Sequence, residues 1–107
     1  MSSWSDVCDE ASVAPDVLTA VNVNGEAFVL ARTSSGICAF RDACPHKGVP
    51  LSETGDLCDD VLTCGEHLWE FDARDGAGIN PFGEQLSTAV VRVNNGRVEL
   101  CLDPTAS

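Results

Sequence analysis

Two short segments carry the residue types that could do chemistry. Cys44-Pro45-His46 is followed, after seventeen intervening residues, by Cys64-Gly65-Glu66-His67, so each segment offers one thiol and one imidazole. Thiolate and imidazole are soft and borderline donors, suited to iron or zinc rather than to hard cations. One cysteine and one histidine per segment is the arithmetic of a mixed-ligand binuclear iron–sulfur cluster, in which two thiolates bind one iron and two imidazoles the other. Pro45 and Gly65 are turn residues that let the paired side chains converge and let backbone N–H groups approach bridging sulfides, and Gly48 and Pro50 serve the same compactness. A structural zinc site with two cysteines and two histidines is the rival, although such sites more often pair Cys-x-x-Cys with a second element of like residues. A lone Cys-x-x-His carries little information. Here both histidines of the chain fall in such pairs.

The elements that must position these segments read as β-structure. Val17 to Val23, Glu26 to Arg32 and Ile37 to Arg41 are short apolar runs separated by Asn24-Gly25 and by Ser34-Ser35-Gly36. Asn-Gly between two such runs predicts a type I′ hairpin turn. Ser87 to Val93 alternates Ala89, Val91 and Val93 against Thr88, Val90 and Arg92, then turns through Asn94-Asn95-Gly96 into Arg97 to Leu102. No stretch of twelve residues keeps a helical period. Ser12 to Leu18 could hold only a short turn, limited by Pro15. An all-β domain follows, a small antiparallel sandwich or barrel. Between Asp42 and Phe82 the pattern changes to Gly, Pro, Asp and Cys, with Asp60 to Thr63 and Leu68 to Phe71 as the strand-like pieces. That region is too long for one connection, so it is disordered or organised by something other than a hydrophobic core. The tail from Asp103 to Ser107 reads as frayed.

The 107 residues suit a single domain, 1–107, that buries about two-thirds of its unfolded surface. Seventeen acidic side chains against six basic ones give a net charge of -11, which repels nucleic acid and anionic membranes and favours a partner with a basic patch. The same charge would also simply keep a protein in solution. No apolar run reaches membrane-spanning length, and the start lacks the basic-then-apolar pattern of an export signal. A cytoplasmic protein with reduced thiols is the expectation, which makes metal ligation a better use for some of the six cysteines than disulfides.

Cys44-Pro45-His46 with Cys64-Gly65-Glu66-His67 resembles the Rieske signature Cys-x-His and Cys-x-x-His, and the flanking β segments resemble the Rieske domain over nearly the whole chain. Ala43-Cys44-Pro45-His46, Leu51-Ser52-Glu53, Thr63-Cys64, His67-Leu68-Trp69 and Gly78-Ile79-Asn80-Pro81 are similar to the ferredoxin components of bacterial multicomponent di-iron monooxygenases of the toluene, alkene and isoprene type. The resemblance implies one [2Fe–2S] cluster held by Cys44, His46, Cys64 and His67 within a small cluster-binding subdomain, about residues 42–82, on a β base. It implies a monomeric electron carrier, not an enzyme. Such a carrier takes electrons from an NADH-dependent flavin reductase and gives them to a di-iron hydroxylase that oxidises hydrocarbons. Service to a ring-hydroxylating dioxygenase, the small subunit of a nitrite reductase, and a zinc-stapled interaction module stand as alternatives.

High-potential members of the family carry an extra, disulfide-forming cysteine in each ligand loop. The corresponding positions here are Val49 and Glu66, so no such clamp is expected. Those members also place Ser and Tyr donors after the second histidine, where this chain has Trp69 and Phe71 and no tyrosine anywhere. Fewer donors to sulfur, with Glu53, Glu66, Glu70 and Asp72 near by, predict a midpoint low in the Rieske range, around -150 mV.

Secondary candidates are fewer. Trp69 could cover the histidine end of the cluster or contact a partner, or serve as a core aromatic. Lys47 could help dock an acidic surface. Gly76 to Phe82, which includes Pro81, is expected to form a third loop over the cluster, or a plain turn. Cys8, Cys38 and Cys101 read as small buried hydrophobes, whereas Cys58, beside Asp59-Asp60, is the loop thiol expected to oxidise.

Overall fold

A computed structural model describes residues 4–43, 50–64, 69–80 and 83–101. Ten strands and one short helix follow in chain order: β1 (Trp4–Asp9), β2 (Thr19–Val23), β3 (Glu26–Thr33), β4 (Gly36–Arg41), α1 (Leu51–Thr54), β5 (Asp56–Cys58), β6 (Val61–Thr63), β7 (Glu70–Asp72), β8 (Gly78–Asn80), β9 (Thr88–Asn94) and β10 (Arg97–Cys101). They form two antiparallel sheets. The large one is ordered β1-β10-β9-β4-β3-β2 and the small one β5-β6-β7-β8. The outer strands β1 and β2 of the large sheet approach each other, so it curls towards a barrel.

The hairpins close where the residue types demand. Asn24-Gly25 and Asn95-Gly96 both take left-handed backbone, with φ of 54° and 84° in the first and 54° and 78° in the second, as a type I′ turn requires. The register follows, with Val23 opposite Glu26 and Asn94 opposite Arg97. The second strand begins at Thr19 rather than Val17, because Asp16 turns left-handed just before it and Val17 stands exposed. A 3-10 turn at Glu10–Ser12 precedes the expected Ser12 to Leu18 position. Arg32 clamps it from β3, donating from Nε to the Val13 carbonyl at 2.6 Å and from Nη2 to the Glu10 carbonyl at 2.8 Å. Val93, the last residue of the alternating run, is exposed beside the Asn95-Gly96 turn.

The run Phe28-Val29-Leu30-Ala31 is buried at every residue, which happens when a strand is covered on both faces. Phe28 and Leu30 join Val23, Ala39, Val98 and Leu100 in a core inside the curled large sheet. Val29 and Ala31 join Phe40 on the opposite face, where they meet Leu51, Leu57, Leu62, Cys64, Phe71, Ala73 and Leu86. Contrary to the expectation, the region from residue 42 onward has a hydrophobic core among its described residues. It shares this core with the outer face of β3 and β4. Burying a side chain such as Phe71 or Leu62 contributes about 1.5–3 kcal/mol each.

Gly76 shows how tightly the two sheets meet. Its φ is +81°, and a Cβ there would lie 2.8 Å from the Gln85 amide and 3.1 Å from the Phe40 ring. The stretch expected to form a loop over the cluster is thus seated on Phe40 at its first residue and continues as strand β8. Pro81 and Phe82 lie outside the described residues.

Candidate metal centre

The first arm of the candidate centre leaves β4. The Asp42 N–H donates to the Ala27 carbonyl at 3.1 Å and the Arg41 N–H to the Ser87 carbonyl at 2.8 Å, so the chain departs from a fixed point on the large sheet. Cys44, His46 and Lys47 lie outside the described residues. The chain is next seen at Pro50, which opens α1. Leu51 in that turn is fully buried, and the Gly55 N–H closes the turn on the Leu51 carbonyl at 2.7 Å. Across the base of this arm, the carboxylate of Asp42 accepts the Ser52 backbone N–H at 2.7 Å and, on its other oxygen, the Ser52 hydroxyl.

The second arm is the hairpin β5–β6. Asp59 and Asp60, with φ of 50° and 65°, make its turn in left-handed backbone that aspartate tolerates better than most residues. The carboxylate of Asp60 accepts the Ser34 backbone N–H at 2.9 Å and the Ser34 hydroxyl, tying the hairpin to the β3–β4 turn; these two bonds hold its carboxyl below the usual range. Strand β6 delivers Cys64 into the core with its side chain fully buried. The Cys64 N–H donates to the Trp69 carbonyl at 2.7 Å, closing the second segment at its base. Gly65, Glu66, His67 and Leu68 lie outside the described residues.

The arms converge. A Cβ on Gly55, just after α1, would sit 2.6 Å from the Leu51 carbonyl and 3.1 Å from the Thr63 carbonyl, so only glycine lets the first arm pass this close to the residue before Cys64. Leu51 and Cys64 belong to one apolar cluster, with Trp69 half-buried against it. A thiol in such surroundings is a soft donor in a dry shell. It suits an iron–sulfur group better than a hydrated hard cation.

The electrostatics around this point are mixed. Phe71 is fully buried and brings no hydroxyl. Glu53 is exposed and Glu70 half-buried. Asp72 is not a free negative charge, because the Arg74 guanidinium pairs with it at 2.8 Å and holds its carboxyl below the usual range.

Among the other described cysteines, Cys38 packs against the same apolar cluster, and no group of three or more metal-ligating side chains forms among the described residues. Cys101 is buried on β10 opposite Trp4, as expected of a small hydrophobe. Cys8 and Cys38 are only half-buried, and partial burial pushes both thiols up. Cys58 is exposed, as expected, but it ends strand β5 rather than lying in a loop, and the Asp59 carboxylate beside it raises its thiol, with Asp16 and Asp56 adding to the effect. Sequence reasoning missed Asp42, Ser52, Asp60 and Ser34 as structural partners. The adjacent aspartates of the second turn were the one visible hint.

The chain matches a profile of the Rieske [2Fe–2S] domain over residues 3–98. It is 43% identical over 96 residues to the ferredoxin subunit of methanesulfonate monooxygenase from Methylosulfonomonas methylovora, covering 90% of this chain and 78% of that one. It is 32% identical over 102 residues to the ferredoxin component of the alkene monooxygenase system of Xanthobacter autotrophicus, covering 94% and 83%. Among solved structures, a chain in the complex of reduced oxygenase and oxidised ferredoxin of carbazole 1,9a-dioxygenase superposes with a TM-score of 0.80 at 29% identity, over 92% of both chains. The ferredoxin of the same type of enzyme from Nocardioides aromaticivorans has a TM-score of 0.80 at 23% identity, over 92% and 96%, and speaks to the fold alone. Ferredoxins carry electrons and leave catalysis to the oxygenase. On the span of the profile and the identity to these ferredoxin components, the chain belongs to the Rieske [2Fe–2S] domain family, and its cofactor is one cluster of that type.

Proposed function

We propose that this chain is the electron-carrying ferredoxin of a multicomponent monooxygenase, with its cluster held by Cys44 and Cys64 on one iron and His46 and His67 on the other. When bound, the cluster takes up and releases one electron at a time. The observation that carries the ligand assignment is Cys64, buried at the end of β6 in an apolar shell, with its segment closed at the base by the bond to Trp69 and the first arm beside it at Leu51. The protein is a single domain in which residues 42–82 form the cluster-binding part.

The electron source is an NADH-dependent flavin reductase and the recipient is the oxygenase component. Charge supports brief encounters with basic partners. Residues 42 to 86 carry ten acidic side chains against Lys47 and Arg74, whereas the remainder carries seven against four arginines. A carrier so polarised presents its cluster-binding side to a positive surface, with salt-dependent association. Trp69, Pro81 and Lys47, all within the cluster-binding region, would contact the partner or cover the cluster. The protein works as a cytoplasmic monomer; no helix among the described residues is long and apolar enough to cross a membrane.

A di-iron hydroxylase acting on a hydrocarbon fits the similarity to the alkene monooxygenase component. The higher identity to the methanesulfonate monooxygenase subunit favours a second reading, an oxygenase acting on a small sulfonate. The test is an EPR spectrum of dithionite-reduced protein at low temperature. A rhombic signal with an average g below that of all-cysteine ferredoxins is expected, and stoichiometric zinc without iron would overturn the assignment. Turnover with each reconstituted oxygenase then separates the two substrate classes.

A further inference from the structure

Two bonding patterns in this chain are copies of one another. Asp42 accepts the backbone N–H and the hydroxyl of Ser52, one on each carboxylate oxygen; Asp60 accepts the same two groups of Ser34 in the same way. The first closes the base of the arm that bears Cys44 and His46. The second joins the turn of the hairpin that delivers Cys64 to the large sheet.

We propose that these paired serine–aspartate staples are positioning elements for the cluster, each fixing one ligand-bearing arm. The inference rests on the ligand assignment above. The arms need such fixing, because α1 is a single turn and β5 and β6 have three residues each, so their own ladders offer few bonds. Hydrogen bonds to a carboxylate are about twice as strong as neutral ones, and two from one serine also fix orientation. Asp60 does more than cap its own turn, since its carbonyl accepts the Ala73 N–H at 2.8 Å and so joins the second arm to the chain beyond β7. Ligands brought from two arms must be held to within a fraction of an ångström; partners bonded directly to a ligand commonly change metal retention by roughly ten- to a hundredfold, and the staples, one step further out, are placed at the lower end of that range.

The experiment measures iron release to a chelator, the EPR line shape and thermal unfolding for wild type, Ser34→Ala, Ser52→Ala, the double variant, Ser34→Thr and Ser52→Thr. Arg97→Gln serves as the reference for lost stability, because it breaks the ion pairs to Asp6 and Asp9 on the far side of the large sheet. Each alanine variant is expected to release iron about tenfold faster with a broadened signal, and the double variant faster still. The threonine variants, which keep both donors, restore retention, and Arg97→Gln unfolds earlier without faster release. Alanine variants that release iron at the wild-type rate, or no faster than Arg97→Gln does, would overturn the staple inference alone. Wild-type protein lacking the mixed-ligand signal would overturn the ligand assignment and the inference with it.

Discussion

The two sheets of this molecule solve different problems. The large sheet has strands of five to eight residues, Asn-Gly turns and ion pairs laid across its ladders, such as Arg92 with Glu99 and Arg97 with Asp6. The small sheet has strands of three residues and aspartates where the other has Asn-Gly. It is stable because it has borrowed a wall, the outer face of β3 and β4, against which Leu51, Leu62, Phe71 and Leu86 pack. A binding region can therefore be built from irregular chain, provided that a regular element lends it a core.

The strongest test of that contrast is to remove the metal link while leaving the wall. Cys64→Ala is expected to abolish the red-brown colour and the EPR signal while far-UV circular dichroism retains its β character. Collapse of the β signal would mean that the cluster, not the shared core, holds the small sheet. Next in size are paired core truncations. Phe71→Ala should cost about 3–5 kcal/mol and Leu100→Ala about 2–5 kcal/mol in urea unfolding. Iron should leave the Phe71 variant before global unfolding, and leave the Leu100 variant only together with it. Simultaneous loss in both variants would merge the two regions into one cooperative unit.

Acid should discriminate less sharply. Asp60, bonded by Ser34, and Asp72, paired with Arg74, belong to the small sheet; Asp6, paired with Arg97, belongs to the large one. All three are held below the ordinary carboxylate value of about 3.9. Their stabilising contribution is complete above that value. As pH falls below about 4 the unfolded chain binds protons first, so stability drops with pH. Urea midpoints measured between pH 6 and 3 should fall, and Asp60→Asn should flatten part of the decline. The smallest expected effect concerns Cys58. Its thiol is exposed but raised by the Asp59 charge, so a maleimide should label it at neutral pH more slowly than a free thiol in solution, and Asp59→Asn should speed the reaction.

The large sheet was mostly legible. Its hairpins announced themselves through Asn24-Gly25 and Asn95-Gly96, and through runs with one or two buried faces. The exception is β1, where a bulge between Asp6 and Cys8 breaks the alternation that would mark a strand. Strands β5 and β8 of the small sheet, and α1 before it, are too short for any period to register. Its core was invisible because Leu51, Leu57, Leu62 and Phe71 are scattered singly through polar chain and converge only on the far face of β3 and β4. At the candidate centre the two Cys/His segments from which the ligands are proposed stand out in the sequence. The closures by Ser52 and Ser34 do not, since a serine ten or twenty-six residues from an aspartate leaves no local pattern.

Strands β3 and β4 alternate between two interiors, with Phe28, Leu30 and Ala39 on one side and Val29, Ala31 and Phe40 on the other. An insertion or deletion of one residue within β4 would send Phe40 into the space shaped for Ala39, and one within β3 would likewise exchange the faces of Phe28 to Ala31. The exposed turns of this chain can change length at little cost, but these two strands tolerate a change only by even steps. Their residue count constrains the fold as much as their chemistry does.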